Sequence, residues 1–113
     1  MDSQSRAEHC KKELLEAGKK AQKDKDEAKE NFEKDTTKEK GQRFQEWVEM
    51  NDPALIISYQ KYESQSTAYA AALQTHNASE AKEWQTKQLQ AYKDKKLGDD
   101  EFEKVFTIIL PED

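Results

Sequence analysis

The sequence predicts an all-α fold: a long antiparallel helical hairpin with arms at about 5–50 and 53–97, then a short C-terminal helix. The compact alternative is a four- or five-helix bundle. Three observations carry the class. Proline occurs only at 53 and 111 and glycine only at 18, 41 and 98, so little interrupts a chain rich in Ala, Glu, Lys and Gln. Apolar residues recur at spacings of three, four and seven. No segment alternates with the period of two that a half-buried strand needs.

The first arm begins where Ser3 or Ser5 caps a helix reaching at least Asp35. Ala7, Cys10, Leu14, Ala17, Ala21, Ala28 and Phe32 form a narrow stripe of mostly small side chains. Residues 19–40 are dense in lysine and acid, with helical pairs such as Glu16–Lys20 and Glu30–Lys34. Thr36 and Glu39 have the spacing of a capping box that restarts the helix, and Gly41 weakens it, so a kink is expected over 36–41. Phe44, Trp47 and Val48 share a face before Asn51-Asp52-Pro53 ends the arm; Asp52 caps the next helix and Pro53 takes its first turn.

The second arm carries Leu55, Tyr59, Tyr62, Ser66, Tyr69, Leu73 and His76 at alternating spacings of four and three, a seam with aromatic groups at three positions. Asn77 and Ser79 are a candidate interruption; Ala81, Trp84, Gln88 and Tyr92 then continue a helical face. If the arms fold back about residue 52, Phe44 meets Tyr59 and Tyr62, Trp47 meets Ile56 and Ile57, Phe32 falls by Ala72, and Leu14 and Leu15 lie near Leu89. Leu97-Gly98-Asp99 reads as a helix stop and new cap. Phe102, Val105, Phe106 and Ile109 then give a short amphipathic helix over 99–110, although the β-branched run Thr107-Ile108-Ile109 also suits an extended chain. This last segment either folds back on the hairpin or docks into a partner's groove.

With 113 residues the chain is one domain, 1–113. Leu, Ile, Val and Phe make up 17 residues, about 15%, below the ~20% at which disorder becomes a serious reading. Of the 25 large apolar side chains only four precede residue 44, so the N-terminal third needs a partner for its core. The net charge is −5. Residues 1–98 balance at 18 basic and 18 acidic, and the excess of acid lies in the last fifteen residues. Lysines interleaved with acids make no basic stripe, so nucleic acid is not expected as a partner. No run of 18 apolar residues exists to cross a membrane, and Met1 to Lys12 has no secretory apolar core, so a soluble, cytoplasmic protein is expected.

No phosphate loop, nucleophile elbow or His-Glu-x-x-His motif occurs. His9–Glu13 and His76–Glu80 each have the i, i+4 spacing of a ligand pair, but zinc needs three or four donors, so they read as surface or seam residues. Cys10 beside Lys11 and Lys12 lacks a local partner to make it a nucleophile. Neither catalysis, a metal nor a cofactor is expected. Trp47, Tyr59, Tyr62, Tyr69, Trp84, Phe102, Phe106 and Ile109 read first as internal packing and alternatively as a protein-binding face, because Tyr and Trp serve as interface anchors. The scarcity of large apolar groups favours completing that seam with a second copy. In outline, with a tryptophan beside the turn between two long helices, the chain resembles the small secreted WXG-type hairpin proteins. However, Trp47-Val48-Glu49 lacks their turn glycine, and no property is carried over.

The function expected is that of a non-enzymatic interaction module (adaptor, inhibitor or chaperone-like) that binds a protein through its aromatic helix face as a homodimer. The alternatives are a coiled-coil scaffold subunit and a small metal-binding enzyme.

Overall fold

A computed structural model describes residues 2–97 and 106–112, and the side chains of all of these except 92–97. The described chain is all-α in its regular structure. It forms four helices: α1 (Ser3–Lys34), α2 (Phe44–Asn51), α3 (Pro53–His76) and α4 (Ala78–Leu97). The molecule measures 52 × 28 × 19 Å. An unbroken hairpin with ~45-residue arms would be about 70 Å long, so the compact alternative is the form adopted.

The two rods break at sites the sequence marks. Asp2, rather than Ser3 or Ser5, caps α1, accepting the Ser5 N–H at 2.7 Å. That bond holds the Asp2 carboxyl below the usual carboxylate range, with help from the nearby His76. Residues 35–43 are not a kink but a non-helical loop, and the Thr36–Glu39 capping box does not form. Asp35 prevents it. One of its oxygens accepts from the Thr37 N–H at 2.8 Å and the Thr37 hydroxyl at 2.7 Å, and the other accepts the Trp47 indole N–H at 2.7 Å. Such a side-chain turn competes with helix at this residue type. Lys38 donates to the Phe32 carbonyl at 2.6 Å, satisfying an acceptor of the last turn, and its ammonium lies 4.4 Å from the Phe32 ring centroid. Glu39 to Gln42 close a tight turn (N···O 3.1 Å) with Gly41 at φ 81°, the conformation that favours glycine. The second break is Asn77, whose side chain accepts from the Ser79 and Glu80 N–H groups and caps α4.

Because the chain turns back between α1 and α3 and again at Asn77, the register changes. α1 and α3 lie antiparallel, with Ser3 at His76 (Oγ···Nδ1 3.3 Å) and Gly18 beside Tyr62. Phe32 therefore packs with Leu55 and Trp47, not Ala72. Ile57 and Leu89, expected against Trp47 and Leu14, are 67% and 55% exposed. α4 turns back along α3, with Tyr69 against Trp84 (ring centroids 5.4 Å) and Gln88 donating to the Ser66 hydroxyl. The inner face of α1 is Ala7, Leu14, Ala17, Gly18, Ala21, Lys25, Ala28 and Phe32. Small side chains there let α1 approach α3 closely.

The C-terminal helix expected over 99–110 falls partly outside the described residues. Its described end, 106–112, is a turn at Phe106 followed by extended chain. The β-branched Thr107-Ile108-Ile109 favours that conformation, and Pro111 could not donate to a helix.

Two predictions test the loop. Gly41→Ala should cost about 1 kcal/mol in chemical denaturation, purely from backbone conformation, because a Cβ there meets nothing within 4 Å. Asp35 has its carboxyl lowered from 3.8 to about 2, mainly by the Trp47 indole and then by Thr37. Its ionised form therefore stabilises the fold above pH 3.8, and that contribution is lost as pH falls towards 2. Asp35→Asn should remove this part of the acid transition, as followed by tryptophan fluorescence; an unchanged acid limb would refute the assignment.

Candidate functional site

An extended segment is hard to bury inside helices, because its backbone groups lack the ladder partners a sheet would give. Residues 106–112 are nevertheless mostly buried: Phe106, Ile109 and Thr107 are 6%, 6% and 2% exposed. The strap lies in a slot between α1, α3 and α4. It runs in the same direction as α3, with Thr107 at Tyr59 and Ile109 at Tyr62. Leu110 sits over Gly18 of α1, where a Cβ would run into its side chain. Pro111 reaches the level of Tyr69 and Trp84.

The slot reads the strap's backbone with side chains. Tyr59 Oη donates to the Thr107 carbonyl at 2.9 Å. Tyr62 Oη donates to the Ile109 carbonyl at 2.9 Å and accepts the Ile109 N–H at 2.7 Å, so one hydroxyl serves both polar groups of a residue. Lys87 of α4 donates to the Leu110 carbonyl at 2.8 Å. Apolar contact completes the grip. Phe106 meets Tyr59 at 5.3 Å and Phe44 at 5.8 Å, both edge to face. Phe32 continues the chain of rings to Phe44 and Trp47 at 5.5 and 5.8 Å.

The aromatic set, read first as internal packing and alternatively as a partner-binding face, is turned inward. Trp47, Tyr62, Tyr69, Trp84, Phe106 and Ile109 are buried and Tyr59 is half-buried, while Phe102 lies outside the described residues. The burial has a plain cause: the chain's own strap covers the aromatic face of α3. The seam from Leu55 to Leu73 does point inward, and His76 at its end is exposed. Gly18 and Lys87 were not singled out as site residues by sequence, and Thr107 only as part of a β-branched run. The available signals were a glycine in mid-helix and a β-branched run ending in proline.

The titratable groups considered for chemistry remain apart. Among the described residues no three of His, Cys, Asp and Glu gather as a metal would require. Cys10 is half-buried against the core. No described helix is long and apolar enough to cross a membrane. Comparison with protein-family models, curated proteins and solved structures finds no match.

Tyr62→Phe keeps the ring and deletes only the hydroxyl, leaving the buried N–H and C=O of Ile109 without that partner. It should cost about 2 kcal/mol, whereas Tyr62→Ala should cost more than about 3 kcal/mol by adding a cavity. Equal losses by urea denaturation would show that packing alone holds the strap.

Proposed function

We propose that this chain is a non-enzymatic, cytoplasmic protein-interaction module whose aromatic groove holds an extended apolar strand, and that a second copy supplies that strand in a homodimer. The observation that carries the reading is the strap itself. Residues 106–112 show the groove occupied by an extended segment whose backbone is read by Tyr59, Tyr62 and Lys87. Exchange between two copies preserves every one of these contacts in trans, so it costs only the redirection of the connection and the loss of translational freedom. The reading fits the scarcity of large apolar groups, because the strap's contribution comes from either copy.

A scaffold built from continuous coiled coils is less well supported, since the breaks at 35–43 and Asn77 fold the rods back. For the non-enzymatic part, the support is that among the described residues no three of His, Cys, Asp and Glu gather.

The test shortens the connection between Leu97 and Phe106 by about four residues, which hinders closure within one chain and leaves exchange intact. Light scattering should then give twice the 13.1 kDa chain mass. Adding Gly18→Leu, which blocks the Leu110 seat, should abolish the dimer. A shortened chain that stays monomeric, or a dimer indifferent to Gly18→Leu, would overturn the proposal.

A further inference from the structure

The strap is held in a way that another chain could reproduce. The carbonyls of Thr107, Ile109 and Leu110 and the Ile109 N–H are bonded by the side chains of Tyr59, Tyr62 and Lys87. Every peptide carries such groups, so these bonds fix direction and spacing without favouring this chain's own sequence. Extended peptides dock in aromatic-lined grooves in this manner, with selectivity coming from seats for a few side chains.

The seats are built from all the packed elements. Phe106 lies edge to face with Phe44 and Tyr59. Thr107 is fully enclosed, and Ile109 joins Leu14, Tyr62, Leu73 and Trp84 in the core. Tyr62 needs an N–H at the Ile109 position, which excludes proline there. Leu110 lies over Gly18, where any Cβ would collide with its Cδ2. Glycine in mid-helix destabilises α1 relative to alanine, and that loss leaves the room a branched aliphatic side chain needs. Pro111 is buried beside the end of this row. Past it, two adjoining crevices of about 480 and 210 Å³ continue between Lys11, Tyr69, Leu73 and Glu80. The strap borders the larger one with Pro111 and Glu112 and does not fill it, so a longer strand running the same way would find further space.

We infer that the groove is a receptor for an extended segment of a different protein that carries the side-chain pattern of the strap. That pattern is an aromatic residue, a β-branched one, two aliphatic ones, leucine and proline. Residues 106–112 cover the apolar floor until the partner's segment replaces them. The inference rests on the reading that the groove holds an extended strand, and it does not need a second copy to supply one.

Three acetylated peptides serve as probes: Phe-Thr-Ile-Ile-Leu-Pro-Glu-Asp, the strap's own sequence; Phe-Thr-Val-Val-Leu-Pro-Gln-Asn, which keeps the pattern; and a shuffled form of the second. They are titrated into the full-length chain carrying Ile109→Asp and Leu110→Asp, because two carboxylates cannot stay buried there and the strap is expelled. Tryptophan fluorescence reads binding, and light scattering follows the oligomeric state. The pattern peptide should bind within about tenfold of the strap sequence, and the shuffled one at least about tenfold more weakly. If this variant lacks helicity on its own, the first two peptides should restore it in far-UV circular dichroism and the third should not. Methylating the peptide nitrogen that takes the place of the Ile109 N–H should weaken binding about tenfold, and Tyr62→Phe in the chain should remove most of that difference. In the parent chain, millimolar pattern peptide should speed hydrogen exchange of the Ile109 amide as the strap is displaced. The proposal fails if the pattern peptide neither binds nor restores helicity, if the shuffled or methylated peptide matches it, or if the Ile109 amide is unaffected. A shortened chain that dimerises but ignores the peptides overturns this inference alone. Peptide binding by a chain that never dimerises overturns strand exchange alone.

Discussion

The Tyr62 hydroxyl, donating to and accepting from the backbone of Ile109, is the contact on which the arrangement of this molecule turns. α1 and α4 both pack on α3, and Ile109 of the strap joins Leu14 of α1, Tyr62 and Leu73 of α3 and Trp84 of α4 in one core. Burying such a strand without partners would cost several kcal/mol for its amides and carbonyls. Tyr59, Tyr62 and Lys87 remove much of that cost, and the apolar side chains of Phe106, Ile109 and Leu110 then contribute to a core that the helices alone could not fill. A protein with few large apolar residues thus obtains a core by recruiting a segment that is distant in sequence.

The same economy governs the other end. Phe32, Phe44, Trp47 and Phe106 come from α1, α2 and the strap, and their rings meet edge to face. They can do so because Asp35 stops α1 and holds the Trp47 indole, which directs α2 back over the end of α1. A local turn and a tertiary hydrogen bond share one carboxylate there. This is why the loop is defined despite containing mostly exposed polar residues.

Occupation of the aromatic face by the chain's own strand reconciles two readings of that face, as internal packing and as a binding surface. Within one copy it is core, and in the strand exchange proposed above the same contacts would form the interface. The crevices beyond Pro111 have a different character. They are polar and acidic, and bordered by Tyr69 and by Trp84, whose buried indole N–H has no partner among the described residues. The groove and the crevice adjoin along α3, and only the groove is filled by the chain's own backbone.

The residues alone determined the helical class, the break at Asn51-Asp52-Pro53, the inward seam from Leu55 to Leu73 and the narrow alanine stripe of α1. Each is a matter of local propensity or of a period repeated over many turns. Whether 35–43 and Asn77 bend a rod or reverse it was settled by tertiary contacts. Asp35 needed Trp47, twelve residues away, before its turn could prevail over helix. Register followed from those reversals, so Phe32 met Leu55 and Ile57 was left in solvent. The fate of Thr107 to Pro111 was the least legible, because an apolar segment of that length suits a helix on a partner or a strand in a slot. Only the spacing of the Tyr59 and Tyr62 hydroxyls and the open position at Gly18, brought together by folding, selected the strand.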